Sequence, residues 1–228
     1  MINLFELTFS YENHTVLNCP EITFGEDMTH GIIGLNGAGK TTFFNLMATY
    51  LQPASGRLQL AGKPLTRADV AFLEAENFFY PFLTGHEYLG IFPETNPLFS
   101  LARLNELLQL PLNQVIETYS TGMRKKLALL AILKQDRPVY IFDEPFNGLD
   151  LETSKVLEMM LDRLKARGKT IFISSHILSP LLHCCDQIHL LQQGTFRNSF
   201  HPSHFPEIEA VLYGHLNQKA GEILDAAF

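Results

Sequence analysis

The chain has few of the features that mark secreted, membrane-spanning or nucleic-acid-binding proteins. It has only three cysteines, and Cys184 and Cys185 are neighbours that cannot easily bridge to each other, so we expect no disulfide framework. The longest apolar run, residues 127–133, is far shorter than the ~18 to 20 residues of a membrane span. The formal net charge is −7 and no stripe of lysine or arginine occurs, which argues against nucleic acid as a partner.

No secretory leader is visible, because Met1 is followed directly by a strand pattern, and we expect a cytoplasmic protein. One group of metal-binding residue types occurs, His183, Cys184, Cys185 and His189. The first two would end a short helix and the last would lie in the next strand, so their side chains should diverge and a zinc site is not expected. With 228 residues, 46% of them hydrophobic, the chain is sized for one core and a small subdomain, and residues 1–228 are predicted to be a single domain.

A glycine-rich loop is the first pattern that points to a function. Residues 34–41 read G-L-N-G-A-G-K-T, a full match to the phosphate-loop pattern G-x-x-x-x-G-K-[ST]. The loop follows apolar residues 31–33 and precedes a helical pattern over residues 43–51, which is the strand, loop and helix context that the pattern requires. A glycine-rich turn that merely preceded a lysine would lack this context.

Each residue type in the loop suits a polyphosphate ligand. Glycines let the backbone point its N–H groups inward, so that amides and the start of the next helix surround the phosphates. Lys40 would supply positive charge to the β and γ phosphates, and the Thr41 hydroxyl would bind Mg²⁺. The residues predicted to contact nucleotide here are Asn36, Gly37, Ala38, Gly39, Lys40, Thr41 and Thr42.

An acidic pair follows a second apolar stretch. Residues 139–142 predict a strand buried on both faces of a parallel sheet, so Asp143 would emerge at its carboxyl end, where open α/β sheets bind ligands. We predict that Asp143 binds magnesium and that Glu144 polarises the water that attacks the γ-phosphate. Carboxylates at a strand end are otherwise often solvated turn residues. The phosphate loop is what favours the functional interpretation.

Between these two elements, residues 120–123 read S-T-G-M just before a helical pattern. The order of the three elements resembles that of the nucleotide-binding subunits of ATP-binding cassette (ABC) transporters, whose signature at this place is usually L-S-G-G-Q. The resemblance covers residues 1 to about 198. It implies an α/β P-loop NTPase ABC ATPase fold, with a mainly parallel core sheet, an antiparallel β edge and a small helical subdomain.

The resemblance also implies roles for residues outside the phosphate loop. Ser120 and the backbone of Gly122 would donate to the γ-phosphate of ATP bound on a second copy of the domain. Tyr11 would stack on adenine, Asp150 would cross the dimer interface, and His176 would lie near the γ-phosphate.

Each of these residues also has an ordinary structural explanation. Ser120 is a good helix N-cap, and Tyr11 could be a half-buried aromatic beside an edge strand. His176 could be a satisfied core histidine. Its position after apolar residues 170–173, on the same sheet edge as Asp143, favours the functional interpretation.

Two departures from the family pattern stand out. The signature has Tyr119, Thr121 and Met123 where leucine, glycine and glutamine are usual, a variant that resembles export-type members more than importers. Ala75 stands where the family places a glutamine that contacts magnesium, and alanine has no oxygen to offer. Either Glu74 or Glu76 reaches the metal, directly or through water, or that ligand position is left to solvent.

The remaining segments complete the predicted organisation. A compact helical subdomain is expected over about residues 85–134, an amphipathic helix over residues 151–167, and a short helical tail over about residues 199–228. Residues 77–82 hold four aromatic rings, too many to bury easily in a segment with proline, although core packing would suit one or two of them. We predict an exposed partner surface there.

Carried through, the resemblance implies a pair of subunits, homodimeric or paired with another ABC subunit, that closes around two ATP molecules with Mg²⁺. Closing and opening would drive an integral membrane permease, for export, and would hold this chain on the inner face of the cell membrane. The alternative is a nucleotide-gated regulatory or interaction protein without a membrane subunit. The intact Lys40, Asp143, Glu144 and His176 argue against that alternative.

Overall fold

The computed structural model describes residues 1–214. Its strands are β1 (Ile2–Tyr11), β2 (His14–Cys19), β3 (Ile22–Phe24), β4 (Thr29–Ile33), β5 (Ser55–Leu60), β6 (Lys63–Pro64), β7 (Val70–Leu73), β8 (Val139–Phe142), β9 (Thr170–Ser175), β10 (Gln187–Gln192) and β11 (Thr195–Phe200). Its helices are α1 (Lys40–Met47), α2 (Gly85–Ile91), α3 (Leu101–Leu108), α4 (Thr121–Leu133), α5 (Leu151–Lys165) and α6 (Leu178–Cys184).

The larger sheet has six strands in the order β11-β10-β4-β9-β8-β7. Neighbouring strands from β10 to β7 are parallel, and β11 pairs with β10 in antiparallel fashion. Every residue of β4, β8 and β9 is buried, as expected for central strands covered on both faces. Their carboxyl ends meet at one edge of the sheet, so the loops that begin at residues 34, 143 and 176 start side by side.

The smaller sheet is antiparallel, with the strand order β2-β1-β5-β6 and β3 paired to β1. It is the antiparallel edge that the sequence predicted. Together the two sheets and the flanking helices confirm the predicted α/β fold with a mainly parallel core sheet.

Helices cover both faces of the larger sheet. On one face, Phe43 and Phe44 of α1 pack among buried side chains that the smaller sheet shares. On the other face, Leu129 of α4, Leu157 of α5 and Leu181 of α6 pack against the strands. Each fully buried side chain of this kind stabilises the fold by about 1.5–3 kcal/mol relative to an exposed one.

Residues 85–133 contain α2, α3, a 3-10 turn at Ile116–Thr118 and α4, packed around a cluster of their own. Tyr119 belongs to this cluster, and its hydroxyl donates to the Pro111 carbonyl oxygen at 2.8 Å. The tyrosine in the signature is therefore a core residue of the helical segment.

A search of the helices in residues 1–214 for a membrane span finds no helix with the length and hydrophobicity that a span needs.

The tail begins slightly later than its sequence predicts. We predicted helical structure from about residue 199, but β11 continues to Phe200, because its backbone pairs with β10. A 3-10 turn at Pro202–Glu207 and a helical stretch from residue 208 follow. The part of the predicted tail from residue 215 onward lies outside the described residues.

Candidate nucleotide site

The phosphate loop connects the buried strand β4 to helix α1. Gly34 lies so close to β10 that a Cβ atom there would clash with the Leu191 carbonyl oxygen. Gly37 and Gly39 have φ angles of 79° and 104°, in the region that other residues rarely adopt. The glycines are thus required by the path of the backbone, which turns sharply and then enters α1.

Lys40 begins α1 and is buried, with only 8% of its surface exposed. Its Nζ donates to the carbonyl oxygen of Gly34 at 2.7 Å and lies 4.0 Å from Glu144 Oε1. Burial lowers the pKa of Lys40, while the negative charges of Glu144 and Asp143 act to raise it. The ammonium group of Lys40 is thus held beside the phosphate loop, where it can donate charge-assisted hydrogen bonds to an anionic ligand.

Thr41 and Asp143 lie together although they are far apart in the sequence. The Thr41 hydroxyl donates to Asp143 Oδ2 at 2.7 Å, and Asp143 is almost completely buried at the end of β8. A hydroxyl and a carboxylate at one point are the hard oxygen donors that Mg²⁺ prefers, and this pair leaves several coordination positions for water and phosphate oxygens. The donor set therefore fits the predicted magnesium site.

Glu144 and His176 meet at the same sheet edge. The imidazole Nδ1 of His176 lies 3.0 Å from Glu144 Oε2, which makes a direct hydrogen bond or ion pair. Glu144 has a φ of 48°, a left-handed conformation, and its carboxylate contacts His176, whereas that of Asp143 accepts from Thr41. The two adjacent carboxylates thus face different partners, as their predicted roles require.

Ser174 orients both carboxylate residues, and sequence reasoning did not select it. Its hydroxyl donates to Asp143 Oδ1 and accepts from the Glu144 backbone N–H at 2.8 Å. Strands β8 and β9 run parallel with Phe142 opposite Ile173, so the next residues of the two segments, Asp143 and Ser174, are neighbours. In the sequence, the signal for Ser174 was its position directly after apolar residues 170–173.

A cavity of about 270 Å³ opens beside the phosphate loop. Its lining residues are Val16, Asn36, Gly37, Ala38, Gly39, Lys40, Thr41, Thr42, Asp143 and Glu144. All predicted phosphate-loop residues and both carboxylates therefore border one space. Val16 on β2 was missed, and only its position shortly after Tyr11 hints at it.

The other residues with predicted nucleotide contacts do not line this cavity. Tyr11 ends β1 with half of its surface exposed, and its ring packs edge-on against Phe9 at 4.9 Å between ring centroids. Ser120 caps α4, its hydroxyl accepting from the Met123 backbone N–H at 3.2 Å. Asp150 caps α5 in the same way through Thr153 N–H at 2.7 Å. That hydrogen bond and nearby Lys126 lower the pKa of Asp150.

Ser120, Gly122 and Asp150 nevertheless belong to one surface region. The loop before α5 approaches the start of α4 so closely that a Cβ at Gly122 would lie 3.1 Å from the Gly148 carbonyl oxygen. Ser120 and Asp150 are both exposed. Both lie at exposed helix N-termini outside the phosphate cavity of the same chain, and their action on a second copy stays a prediction.

Neither candidate substitute for the missing glutamine lines the phosphate cavity. Glu74 lies near Tyr50 instead. Burial raises the pKa of Tyr50, Arg67 acts to lower it, and the negative charge of Glu74 raises it further. Glu76 and Ala75 line a separate cavity of about 350 Å³ together with Lys125. The role of either glutamate toward the metal stays a prediction.

The histidines and cysteines near residue 185 point in different directions. His183 bonds to the Ser179 carbonyl oxygen at 2.8 Å on the surface of α6, whereas His189 is buried and contacts His30 at 3.1 Å between ring nitrogens. Cys184 and Cys185 pack in the core.

Comparison with known proteins gives consistent matches. The family model described as ABC transporter matches residues 17–147. An uncharacterized ABC transporter ATP-binding protein of Nostoc sp. is 36% identical over 76% of this chain, which corresponds to 56% of that relative's length. The bacitracin transport ATP-binding protein BcrA of Enterococcus faecalis is 30% identical over 85% of this chain and 67% of its own length. A solved ATP-binding subunit of an ABC transporter superimposes with a TM-score of 0.81 at 25% identity, covering 94% of this chain and 93% of that one.

Proposed function

Because the chain belongs to the ABC transporter family and carries that family's ATPase domain, we propose that it binds and hydrolyses ATP as the nucleotide-binding subunit of a membrane transporter. One observation carries the proposal. Lys40, Thr41, Asp143 and Glu144 come from separate segments and border a single cavity at the carboxyl edge of the parallel sheet. This is where an open α/β sheet binds its ligand.

In this proposal the phosphates of ATP lie along residues 36–42. The loop amides and the start of α1 stabilise the negative charge, and Lys40 releases its contact with the Gly34 carbonyl oxygen to bind the β and γ phosphates. Thr41 and Asp143 would hold Mg²⁺, which would supply charge neutralisation for the phosphate oxygens. Tyr11 stacks on adenine, and Val16 packs beside it at the mouth of the cavity.

Glu144 acts as the general base in this proposal. Its carboxylate accepts a proton as the water oxygen bonds to the γ-phosphorus, the bond to the bridging oxygen breaks, and ADP and phosphate form. His176, in contact with Glu144, orients that carboxylate and reaches the γ-phosphate.

A second copy completes each site. Ser120 and Gly122 lie at the exposed start of α4, where their hydroxyl and amide groups meet the γ-phosphate bound to the partner, and Asp150 crosses the interface beside them. Such an interface is isologous, and ATP forms part of it. Hydrolysis then weakens the pair.

The membrane partner would dock on the exposed aromatic residues after β7. Phe78, Tyr80 and Phe82 expose 71%, 56% and 82% of their surfaces, which is far more than a structural role requires. Core packing applies to Phe79, which is half-buried and lies 4.8 Å from Tyr88 between ring centroids. A permease bound here would hold the chain on the inner face of the membrane.

The match to a bacitracin transport protein supports export as the direction.

Phosphate release from Mg-ATP by the purified chain tests this function, with Lys40→Ala as the diagnostic variant and Lys63→Ala as the control. Lys63 is an exposed lysine in a hairpin away from the cavity. Lys40→Ala should bind ATP poorly and lose about a hundredfold or more in kcat/KM, because it removes the charge that faces the transferred phosphate. Equal activity of the original chain and Lys40→Ala would contradict the proposal.

A further inference from the structure

Lys125 is a buried lysine that none of the assignments above uses. It lies in the second turn of α4 with 8% of its surface exposed. Its Nζ donates to the backbone carbonyl oxygen of Glu144 at 2.6 Å and to that of Asn147 at 3.0 Å. Burial lowers the pKa of Lys125, and the nearby Glu144 and Asp143 act to raise it. A buried ammonium needs partners, and both of its partners here belong to the loop that begins at Glu144.

That loop has a conformation that requires support. Glu144 adopts a left-handed φ of 48°, which a residue other than glycine keeps only when its surroundings hold it. The carbonyl that Lys125 binds is that of Glu144 itself, and the same carbonyl accepts the Asn147 backbone N–H at 3.3 Å in a turn. Lys125 therefore bridges both ends of the turn that presents the Glu144 carboxylate.

Lys125 also borders a cavity next to the Glu144 turn. Ala75, Glu76, Asn147 and Lys125 line a space of about 350 Å³ between the loop after β7, the start of α4 and the loop before α5. Ala75 contributes only a methyl group to this space. Among the described residues that line this cavity, Lys125 is the one whose side chain forms hydrogen bonds from α4 to the Glu144 turn.

We propose that Lys125 is a positioning residue for ATP hydrolysis, whose ammonium group fixes the Glu144 turn and so aims the general base. The inference rests on the proposed function. Lys125 would also link the two nucleotide sites of a pair, because α4 begins at the residues that are proposed to act on the second copy's nucleotide. A shift of α4 when Ser120 engages that nucleotide would move the Lys125 ammonium and, with it, the turn that carries Glu144.

The test replaces Lys125 by methionine, which keeps the length of the side chain and removes its N–H donors. Lys134→Met is the matched control, since Lys134 ends the same helix and donates to a backbone carbonyl oxygen, that of Leu89 at 2.8 Å. Lys125→Met should lower kcat about ten- to hundredfold, the effect of losing hydrogen bonds from a charged group. Its ATP affinity should change by less than about twofold, because the phosphate cavity does not include Lys125.

Lys125→Arg separates positioning from simple packing. Arginine keeps the positive charge and the donors, and the adjacent cavity of about 350 Å³ has room for its larger head group. We expect this variant to recover most of the kcat that Lys125→Met loses. A kcat as low as that of the methionine variant would overturn the proposal.

The remaining outcomes are also decisive. A Lys125→Met protein with unchanged kcat overturns the inference while leaving the proposed function intact. The same holds if its kcat, ATP affinity and melting temperature all fall together while Lys134→Met changes none of them, because the role is then structural. If the original chain hydrolyses ATP no faster than Lys40→Ala, the proposed function itself has failed. The two failures are thus distinguishable in one series of assays.

Discussion

At the scale of single residues, the site depends on groups that orient the carboxylates as much as on the carboxylates themselves. Ser174 donates to Asp143 and accepts from the Glu144 backbone N–H, so one buried hydroxyl fixes two adjacent residues with different partners. Removing it would leave the Glu144 N–H without its partner, at a cost of about 1–3 kcal/mol, while Asp143 would keep its hydrogen bond from Thr41.

We therefore expect Ser174→Ala to lower kcat about tenfold and to destabilise the chain by about 1–3 kcal/mol. Ser175→Ala is the control, because Ser175 is also buried at the end of β9 but its hydroxyl accepts from the Ile177 backbone N–H instead. Steady-state ATP hydrolysis and thermal unfolding of both variants provide the measurement. Equal kcat values for the two would show that Ser174 does not orient the site.

These residues also mark what the sequence could and could not predict. The phosphate loop and the acidic pair were recognisable because the residues that carry their chemistry are consecutive in the sequence. Val16, Ser174 and Lys125 were not, because their roles depend on which strands lie side by side and on where a helix meets a loop. Strand register and helix packing are properties of the folded chain.

At the scale of elements, the aromatic segment after β7 divides into a packed and an exposed part. Phe79 contacts Tyr88 of α2, whereas Phe78 and Tyr80 pack edge-on against each other, 5.1 Å apart between ring centroids, and remain exposed. The sequence identified the unusual density of rings in this segment. It did not identify which ring turns inward, because the segment has no regular periodicity.

We expect Tyr80→Ser to leave folding and ATP binding unchanged while reducing co-purification with the permease, since it removes an exposed anchor from the proposed docking surface. Phe79→Ser should instead lower stability by about 2–4 kcal/mol, because it empties part of a packed cluster. Thermal unfolding and affinity capture of the co-expressed pair distinguish the two variants. A Tyr80→Ser protein that melts as early as Phe79→Ser would place this ring in the core instead.

The helices and strands themselves followed the sequence pattern closely where burial was uniform. Continuous apolar runs correctly predicted β8 and β9, and the amphipathic pattern over residues 151–167 predicted α5, which ends two residues earlier, at Lys165. The end of β11 was harder to predict, because this edge strand has a polar, mostly exposed sequence. Its pairing with β10, rather than its composition, sets its length.

At the scale of the whole molecule, a buried histidine pair links two strands of the core sheet. His30 of β4 and His189 of β10 are both buried, and His189 also bonds to Ser199 of β11 at 2.7 Å. Burial lowers the pKa of His30, against the opposing effects of the Gly25 carbonyl oxygen and Asp186. Burial, with the charges of His30 and His201, lowers the pKa of His189 to about 3.

This pair makes the fold sensitive to acid. Below an unfolded-state pKa of about 6.5 the unfolded chain takes up protons that the folded chain excludes, so the free energy of unfolding falls as the pH is lowered from 6.5 toward 3. Each histidine contributes a slope of up to about 1.4 kcal/mol per pH unit. Between pH 7 and pH 5, His189→Gln should lose up to about 2 kcal/mol less stability than the original chain.

Denaturant unfolding at the two pH values measures this difference, and His14→Gln is the control because His14 is exposed on β2. The control should keep the full pH dependence. If His189→Gln and His14→Gln show the same loss between pH 7 and pH 5, the buried pair is not the source of acid sensitivity.

The proposed pairing of two copies around ATP can be tested directly. The cavity at the phosphate loop includes neither Ser120 nor Asp150, which lie at the exposed N-termini of α4 and α5. If two copies close on ATP, slowing hydrolysis should preserve the pair. Glu144→Gln is the suitable change, because the amide keeps the shape of the side chain and loses its basicity.

We expect Glu144→Gln to bind ATP with unchanged affinity, to hydrolyse it about 10²- to 10⁴-fold more slowly, and to elute as a dimer from size-exclusion chromatography in Mg-ATP. The double variant Lys40→Ala, Glu144→Gln should elute as a monomer under the same conditions, because its loop lacks the cation that retains the nucleotide. Omitting ATP should return the single variant to a monomer. A Glu144→Gln protein that stays monomeric at saturating ATP and turns over at the original rate would exclude both the general base and the ATP-bridged pair.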